Sequence, residues 1–363
     1  MYSATLTNPL PEARPAWCAI VGAPRCGTTS LAKYLGANPG VRFSKLKEPH
    51  FFSRRDLRNV PERELPLLVK RDYLDRFFPD APRGRLLAEA SVSYLYAPER
   101  LLPAISIWPD AKFVIAVRNP LKMLPSLHLR NVHNGDETVR DFGTAWNLVE
   151  ERRRGNHIPR SCIDARLLDY AEIGQLGKYV ARFLDIVGSG RCIISVFDDL
   201  EADPGQEYRR ILDFLGLQPD FTTDFHVHRP SARIRLPWLQ RLLKRPPKAV
   251  RAFFSNDAEL NRYGMAASAG QPNIVGAAKA VQAVRKYLLD WNRVAAPPRP
   301  CDAELQRSIA NYLRDDVRLL SAIVGRDLSH WLNSSVPSSV YPAGKQEAGP
   351  KCAAQRRPFG AAV

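Results

Sequence analysis

No run of apolar residues in this chain reaches the ~18 that a membrane-spanning helix requires, so nothing in it reads as a span. The opening stretch, Met1–Ala16, is polar and contains proline, without the apolar core of a signal peptide. Cysteine is sparse and unpatterned. The six residues at 18, 26, 162, 192, 301 and 352 form no C-x-x-C pair and no metal-ligand spacing. These absences together describe a reduced, soluble, cytoplasmic protein with no resident metal. No internal repeat is present. Acid is missing from Arg229–Arg251, a segment that carries eight Lys/Arg. Such a run is either a solvated basic face or a binding surface.

What the chain does have is ordinary for a globular protein: 363 residues, 45% hydrophobic and 25% charged, enough to bury a sizeable core in one large domain or two. Its 30 prolines suggest short elements joined by stiff loops. The formal net charge of +16 suits an anionic partner, whether nucleic acid, a membrane surface or a phosphorylated or sulfated small molecule.

Apolar runs recur at wide intervals between stretches of helical periodicity. Trp17–Gly22 reads as a buried strand, followed by a turn and a helix over about Thr28–Gly36. Leu86–Ala90, Lys112–Val117 and Arg191–Phe197 are further strands. Ile163, Leu167, Leu176, Val180, Phe183 and Val187 recur at spacings that fit one helix face. Asp203-Pro204 is an N-cap with proline at the first helical position, opening a helix that stops at Gly216. Strands alternating with helices predict an α/β fold, a mainly parallel sheet flanked by helices. The last third is helical (near 238–243, 277–291 and 303–324), without a strand. Expected boundaries are an arm at 1–15, one domain over 16–333 and a disordered tail at 334–363, where the sequence turns Ser-, Pro-, Gly- and Ala-rich.

The most informative stretch is Gly22-Ala-Pro-Arg25-Cys26-Gly27-Thr28-Thr29-Ser30-Leu31, between a strand and a helix. Glycines let backbone N–H groups approach an anion, and the helix N-terminus adds partial positive charge. The spacing matches G-x-x-x-x-G-K-[ST] except that Thr28 stands where an NTPase has its lysine, which speaks against ATP or GTP hydrolysis. Arg25 can supply the cation from within the loop, aimed at charge developing on a leaving phosphate. A second motif, Arg118-Asn-Pro-Leu-Lys-Met-Leu-Pro-Ser126, follows the strand ending at Val117. Asn119 can cap and Pro120 open a helix. Pro125 sits awkwardly inside it, at a cost on the order of 3 kcal/mol unless the helix kinks.

Gly22–Leu31 resembles the 5′-phosphosulfate loop of sulfotransferases that use 3′-phosphoadenosine 5′-phosphosulfate (PAPS), and Arg118 with Ser126 resembles that family's 3′-phosphate site. Lys47-Glu48-Pro49-His50-Phe51-Phe52, Gly177-Lys-Tyr179, Phe197–Leu200, Asp203-Pro204 with Phe214–Leu217, and Gly325–Trp331 extend the likeness over residues 17–332. They are similar to soluble bacterial members and more distantly to the heparan-sulfate type. The resemblance implies a P-loop-type fold, PAPS as sulfuryl donor and PAP as product. It implies that Arg25, Cys26, Gly27, Thr28, Thr29 and Ser30 hold the 5′-phosphate and sulfate, and that Arg118 and Ser126 hold the 3′-phosphate. Arg233 and Arg235 stand where relatives close a basic segment over the nucleotide. Met123 occupies a position that is often basic in the family, and Ala90 one where heparan-type members carry lysine. A sugar sulfotransferase of the Golgi would carry a membrane anchor, so the expectation is a bacterial-type soluble enzyme.

Sulfuryl transfer needs in-line alignment, stabilisation of the leaving phosphate and a base for the acceptor proton. The family's Lys-Glu-x-His-Phe-Phe segment places the catalytic carboxylate at Glu48, with Phe51 and Phe52 able to desolvate it and raise its pKa. Pairing with Lys47 or Lys45, or simple exposure, are the structural alternatives. His50 is the other candidate base. His226 and His228 suit a loop better than a metal site. The expected partner is a small-molecule or glycan acceptor, anionic if the charge excess serves to attract it; no nucleic acid is expected. Two other functions remain open. A small-molecule kinase would need an Mg²⁺ acid, for which Asp198-Asp199 is placed. A non-enzymatic polyanion binder would use residues 229–251 and ignore the loop.

Overall fold

Trp17–Gly22 (β1) is buried at every position, and Leu86–Ala90 (β3) likewise. A strand covered on both faces has no polar side to alternate with, so it reads as a continuous apolar run. Lys112–Val117 (β4) is buried beyond its first residue, and Cys192–Val196 (β5) is half-buried before its last two. With the short Val41–Phe43 (β2), these strands form a five-stranded sheet in the order β2-β3-β1-β4-β5. Every neighbouring pair is parallel. The computed structural model describes residues 16–79, 84–219, 225, 232–244, 275–295 and 301–333. The arm 1–15, the tail 334–363, His226, His228 and the ends of the basic segment 229–251 lie outside the described residues.

The longer helices are Thr28–Ala37 (α1), Pro120–Asn134 (α2), Leu176–Val187 (α3), Pro204–Leu215 (α4), Pro237–Lys244 (α5), Val275–Trp291 (α6) and Ala303–Val324 (α7). Two caps form as their residues dictate: Asn119 accepts the Leu121 N–H at the start of α2, and Asp203 accepts the Gln206 N–H at the start of α4. The latter helix ends on Gly216 in the left-handed conformation. Helix α2 runs on through Pro125 rather than stopping there. The ring costs the bond to the Leu121 carbonyl, in the second turn, and Pro125 is itself buried in the core.

Three expectations need correction. The Ile163–Val187 stretch is not one helix. Asp164 accepts the Arg166 N–H and Asp169 the Glu172 N–H, so each starts a new short turn (Ala165–Leu168 and Tyr170–Ile173) before α3, leaving Ile163 53% exposed. The last third does contain a strand: Arg293–Ala295 (β7) pairs antiparallel with Ala232–Ile234 (β6). Val41–Phe43 was not anticipated at all.

The sheet order fixes where a ligand site belongs. The chain leaves β1 toward the β2 edge and leaves β4 toward the β5 edge. Adjacent strands whose connections diverge open a crevice at their C-terminal ends. The loop after Gly22 and the segment after Val117 both lie there, with Gly22 in register with Ala116.

Candidate active site

The loop between β1 and α1 is held against the end of β4, where the Ala23 N–H donates to the Ala116 carbonyl at 3.2 Å. Gly27 is left-handed (φ 82°) and begins α1, which has no side-chain cap and no acid in its first turn. The positive end of α1 is therefore left for an external anion. Thr28 is buried, and Arg25, Thr29 and Ser30 are half-buried along the same turn. The Cys26 side chain points inward. Its Sγ lies 3.6 Å from Met123 Sδ, and burial pushes the thiol up to about 12, against the pull of Arg118 and Arg25. Only its backbone N–H remains available to a phosphate. Met123, at the family's often basic position, is fully buried beside it.

The two phosphate motifs meet, although 101 residues separate them. Arg25 Nε donates to Ser126 Oγ at 2.8 Å, and Arg118 Nη1 donates to the Arg25 carbonyl at 3.0 Å. The Arg118 guanidinium lies 4.1 Å from the centre of the Phe197 ring, and its buried Nε has no hydrogen-bond partner among the described residues. A buried unpaired donor on a cation is costly unless a ligand completes it.

Glu48 and His50 sit on the turn that leads into Phe51–Arg54. Both are left-handed, at φ 63° and 54°, and Arg25 is too, at 71°. Among the described residues only His157 shares this state without being glycine. Each such residue costs of order 1 kcal/mol, and strain of this kind gathers at functional sites. Glu48 Oε1 lies 2.5 Å from Lys47 Nζ, and Glu48 Oε2 lies 3.5 Å from Arg130 Nη2 and 3.7 Å from His50 Nε2. Burial drives the carboxyl pKa up, but the nearby His50, Lys47 and Arg130 together hold it well below the usual range. The expectation of a raised pKa is thus corrected. Phe51 and Phe52 turn into the core against Tyr73, and the cations prevail. The Lys47 pairing weighed from sequence forms; Lys45 is exposed. Burial also lowers the His50 pKa, more than Glu48 raises it.

Arg130 was not picked out from the sequence. It lies one turn beyond Ser126 on α2, so i,i+4 spacing sets both on one face. One helix thereby touches Arg25 through Ser126 and Glu48 through Arg130. On the next turn, burial and the nearby Lys244, Arg293, Arg130 and Arg25 bring the His133 pKa down to about 4, so positive charge crowds this end of α2. Gln240 Nε2 donates to the His133 carbonyl at 2.8 Å and ties α5 to the same place.

Arg235 stacks over Trp291 at 5.4 Å, and its N–H donates to the Asn292 carbonyl. Arg233 is a β6 residue opposite Val294; its side chain lies outside the description. The acids a kinase would use are engaged elsewhere. Asp198 accepts from Trp331 Nε1 at 2.6 Å, and Asp199 from Arg326 Nη1 at 2.7 Å. Among the described residues no cluster of three or more His, Cys, Asp or Glu could hold a metal.

A family model for the sulfotransferase family matches residues 18–222, more than half of the 363 residues. The chain belongs to the sulfotransferase family. A crystal structure of the sulfotransferase from Alicyclobacillus acidocaldarius superposes with a TM-score of 0.56 at 25% identity, covering 88% of this chain and 100% of that one. Mouse heparan sulfate glucosamine 3-O-sulfotransferase 3B1 is 26% identical over 227 residues, 62% of this chain and 51% of that protein. Mouse carbohydrate sulfotransferase 15 is 23% identical over 246 residues, 55% of this chain and 43% of that protein. The chain therefore spans about half the length of the curated relatives it matches, or less. Among its described residues no helix is long and apolar enough to cross a membrane.

Proposed function

We propose that this sulfotransferase moves the sulfuryl group of PAPS to a hydroxyl or amine, with Glu48 as the base. The observation that carries the proposal is the junction of the two motifs, Arg25 to Ser126 and Arg118 to the Arg25 carbonyl. The residues fit a nucleotide phosphorylated at both ends. The uncapped α1 N-terminus suits the 5′ end, and Arg118, with its unpartnered Nε, and Ser126 suit the 3′-phosphate. When bound, PAPS supplies an activated sulfuryl group and a phosphate leaving group. Arg25 stands where charge on that phosphate can be neutralised. Glu48, kept ionised by its cations, can accept the acceptor's proton as the transition state makes that proton acidic. His50 then shapes and stabilises the carboxylate.

A carbohydrate acceptor is supported by the named activities of the heparan-sulfate and carbohydrate relatives. Lys47, Arg130 and the charge crowded around His133 favour an anionic one. The kinase alternative loses support because Asp198 and Asp199 are already paired. The test is transfer from labelled PAPS into a panel of neutral and acidic saccharides. Wild type should label an acidic member, and Glu48→Gln should lose at least ~100-fold in kcat. Equal labelling by wild type and variant would remove Glu48 as the base.

A further inference from the structure

Directly beneath the Glu48–His50 turn lies a carboxylate to which the chemistry above gives no role. Glu89, at the C-terminal end of β3, has no exposed surface. It receives three hydroxyls: Tyr73 Oη at 2.8 Å and Tyr94 Oη at 2.9 Å on Oε1, and Ser91 Oγ at 2.6 Å on Oε2. No salt bridge joins it to a cation among the described residues. Such a charge is unfavourable to folding, and burial, despite the three donors, pushes its pKa up to about 7. The other titratable groups that face this cluster are Tyr73, Tyr94 and the Cys18 thiol, all held protonated by burial. Lys112 is the nearby cation, acting on Cys18.

The consequence is directional. A carboxylate only accepts hydrogen bonds, so each of the three hydroxyls spends its one proton on Glu89. Their lone pairs are then committed to accepting. Ser91 Oγ accepts the His50 N–H at 3.0 Å, Tyr94 Oη faces the Phe52 N–H at 3.4 Å, and Tyr73 Oη accepts Trp17 Nε1–H at 2.9 Å. Two of these three outer bonds hold the amides on either side of Phe51, two and four residues after the left-handed Glu48. His50 is further held by Ser93 Oγ, 2.6 Å from Nδ1. A turn with two left-handed non-glycine residues persists only when its surroundings over-determine it.

We propose that Glu89 and Ser91 are positioning residues: the buried carboxylate orients the Ser91 hydroxyl, which clamps the His50 amide and so fixes the turn that presents Glu48. The proposal rests on Glu48 as the base, but the clamp itself can be observed without any acceptor. A residue kept only for stability would not be an unpaired buried carboxylate. Raised above its unfolded value, its pKa makes stability fall as pH rises from about 4.5 to about 7. Glu89→Gln removes that penalty while breaking the polarity of the network, since an amide donates where only acceptance fits.

The experiment compares wild type, Ser91→Ala, Ser91→Thr and Glu89→Gln at about pH 8, where Glu89 is ionised. Hydrogen exchange of a peptide spanning residues 46–55 is followed by mass spectrometry, together with kcat, donor KM and the thermal shift given by PAP. The expected result is faster exchange in that peptide and a fall in kcat of roughly ten- to a hundredfold for Ser91→Ala and Glu89→Gln. Donor KM and PAP stabilisation should hold, and Ser91→Thr should recover most of both losses. Unchanged exchange overturns the clamp whatever the activity. Faster exchange with unchanged kcat overturns its role in positioning Glu48. A parallel loss of melting temperature, PAP binding and kcat in both Ser91→Ala and Glu89→Gln would make the network merely structural.

Discussion

Lys47→Met should raise the pKa of Glu48, and the strength of the lost attraction follows from the geometry. The ammonium and carboxylate lie 2.5 Å apart, with side chains 24% and 15% exposed. At that separation two unit charges attract by roughly 1.7 kcal/mol in the dielectric of water, and by several times more at an effective value near 20. Partial exposure and the remaining Arg130 and His50 justify the lower figure. Sign and window follow from linkage. The folded pKa lies well below 4.5, so the stabilisation is present above the unfolded value. It fades as pH falls through the folded one. The melting temperatures of wild type and variant should therefore differ most above about pH 5 and converge in acid. A direct assay is carboxyl NMR titration of isotope-labelled glutamate, with Glu48 assigned as the resonance lost in Glu48→Gln. A wild-type Glu48 that titrates at the ordinary carboxylate value, or does not move in Lys47→Met, would refute the view that cations set its charge.

Two further substitutions probe the frame. Arg152 and Glu137 form a pair 2.8 Å apart with 2% and 0% side-chain exposure. Arg152→Met should cost about 3–5 kcal/mol by stranding the buried carboxylate, visible as a lower urea midpoint. Arg152→Met combined with Glu137→Gln should recover part of that loss. Gly27→Ala places an alanine at φ 82°, with its Cβ 2.7 Å from Leu200 Cδ2 and 3.0 Å from the Phe197 ring that lies under Arg118. Backbone strain alone is worth roughly 1–2 kcal/mol. The melting temperature should fall by several degrees and PAP should stabilise the variant less than wild type.

The sheet was legible because its strands are buried on both faces, so β1 and the five residues of β4 after Lys112 stand out as apolar runs, with Glu89 the one charged residue in β3. Strands of three residues carry too few positions to show a period, which is why Val41–Phe43 and Arg293–Ala295 escaped notice. The 163–187 stretch misled because apolar spacing alone was weighed; Asp164 and Asp169, both good caps, marked the breaks. At the site, Arg25, Arg118 and Ser126 could be named since each belongs to a local motif tied to a strand end. Arg130 could not. Its relevance comes from where the Glu48 turn lands against α2, a tertiary fact. The direction of the Glu48 shift failed for the same reason. Adjacency to Phe51 and Phe52 suggested an apolar shell, whereas both rings face the Tyr73 core and Lys47 and Arg130 supply the surroundings.

The most direct test of the account is whether the protein reads a 3′-phosphate through Arg118. Thermal unfolding would be followed with PAP, 5′-AMP and ATP·Mg²⁺, for wild type and for Arg118→Ala. At a hundred times its dissociation constant a ligand adds about 2.7 kcal/mol, or several degrees for a chain of this size. The account predicts that PAP stabilises wild type, that 5′-AMP and ATP·Mg²⁺ do so far less, and that Arg118→Ala removes the preference for PAP. Stabilisation by ATP·Mg²⁺ above PAP, or a PAP effect that survives Arg118→Ala in full, would contradict it.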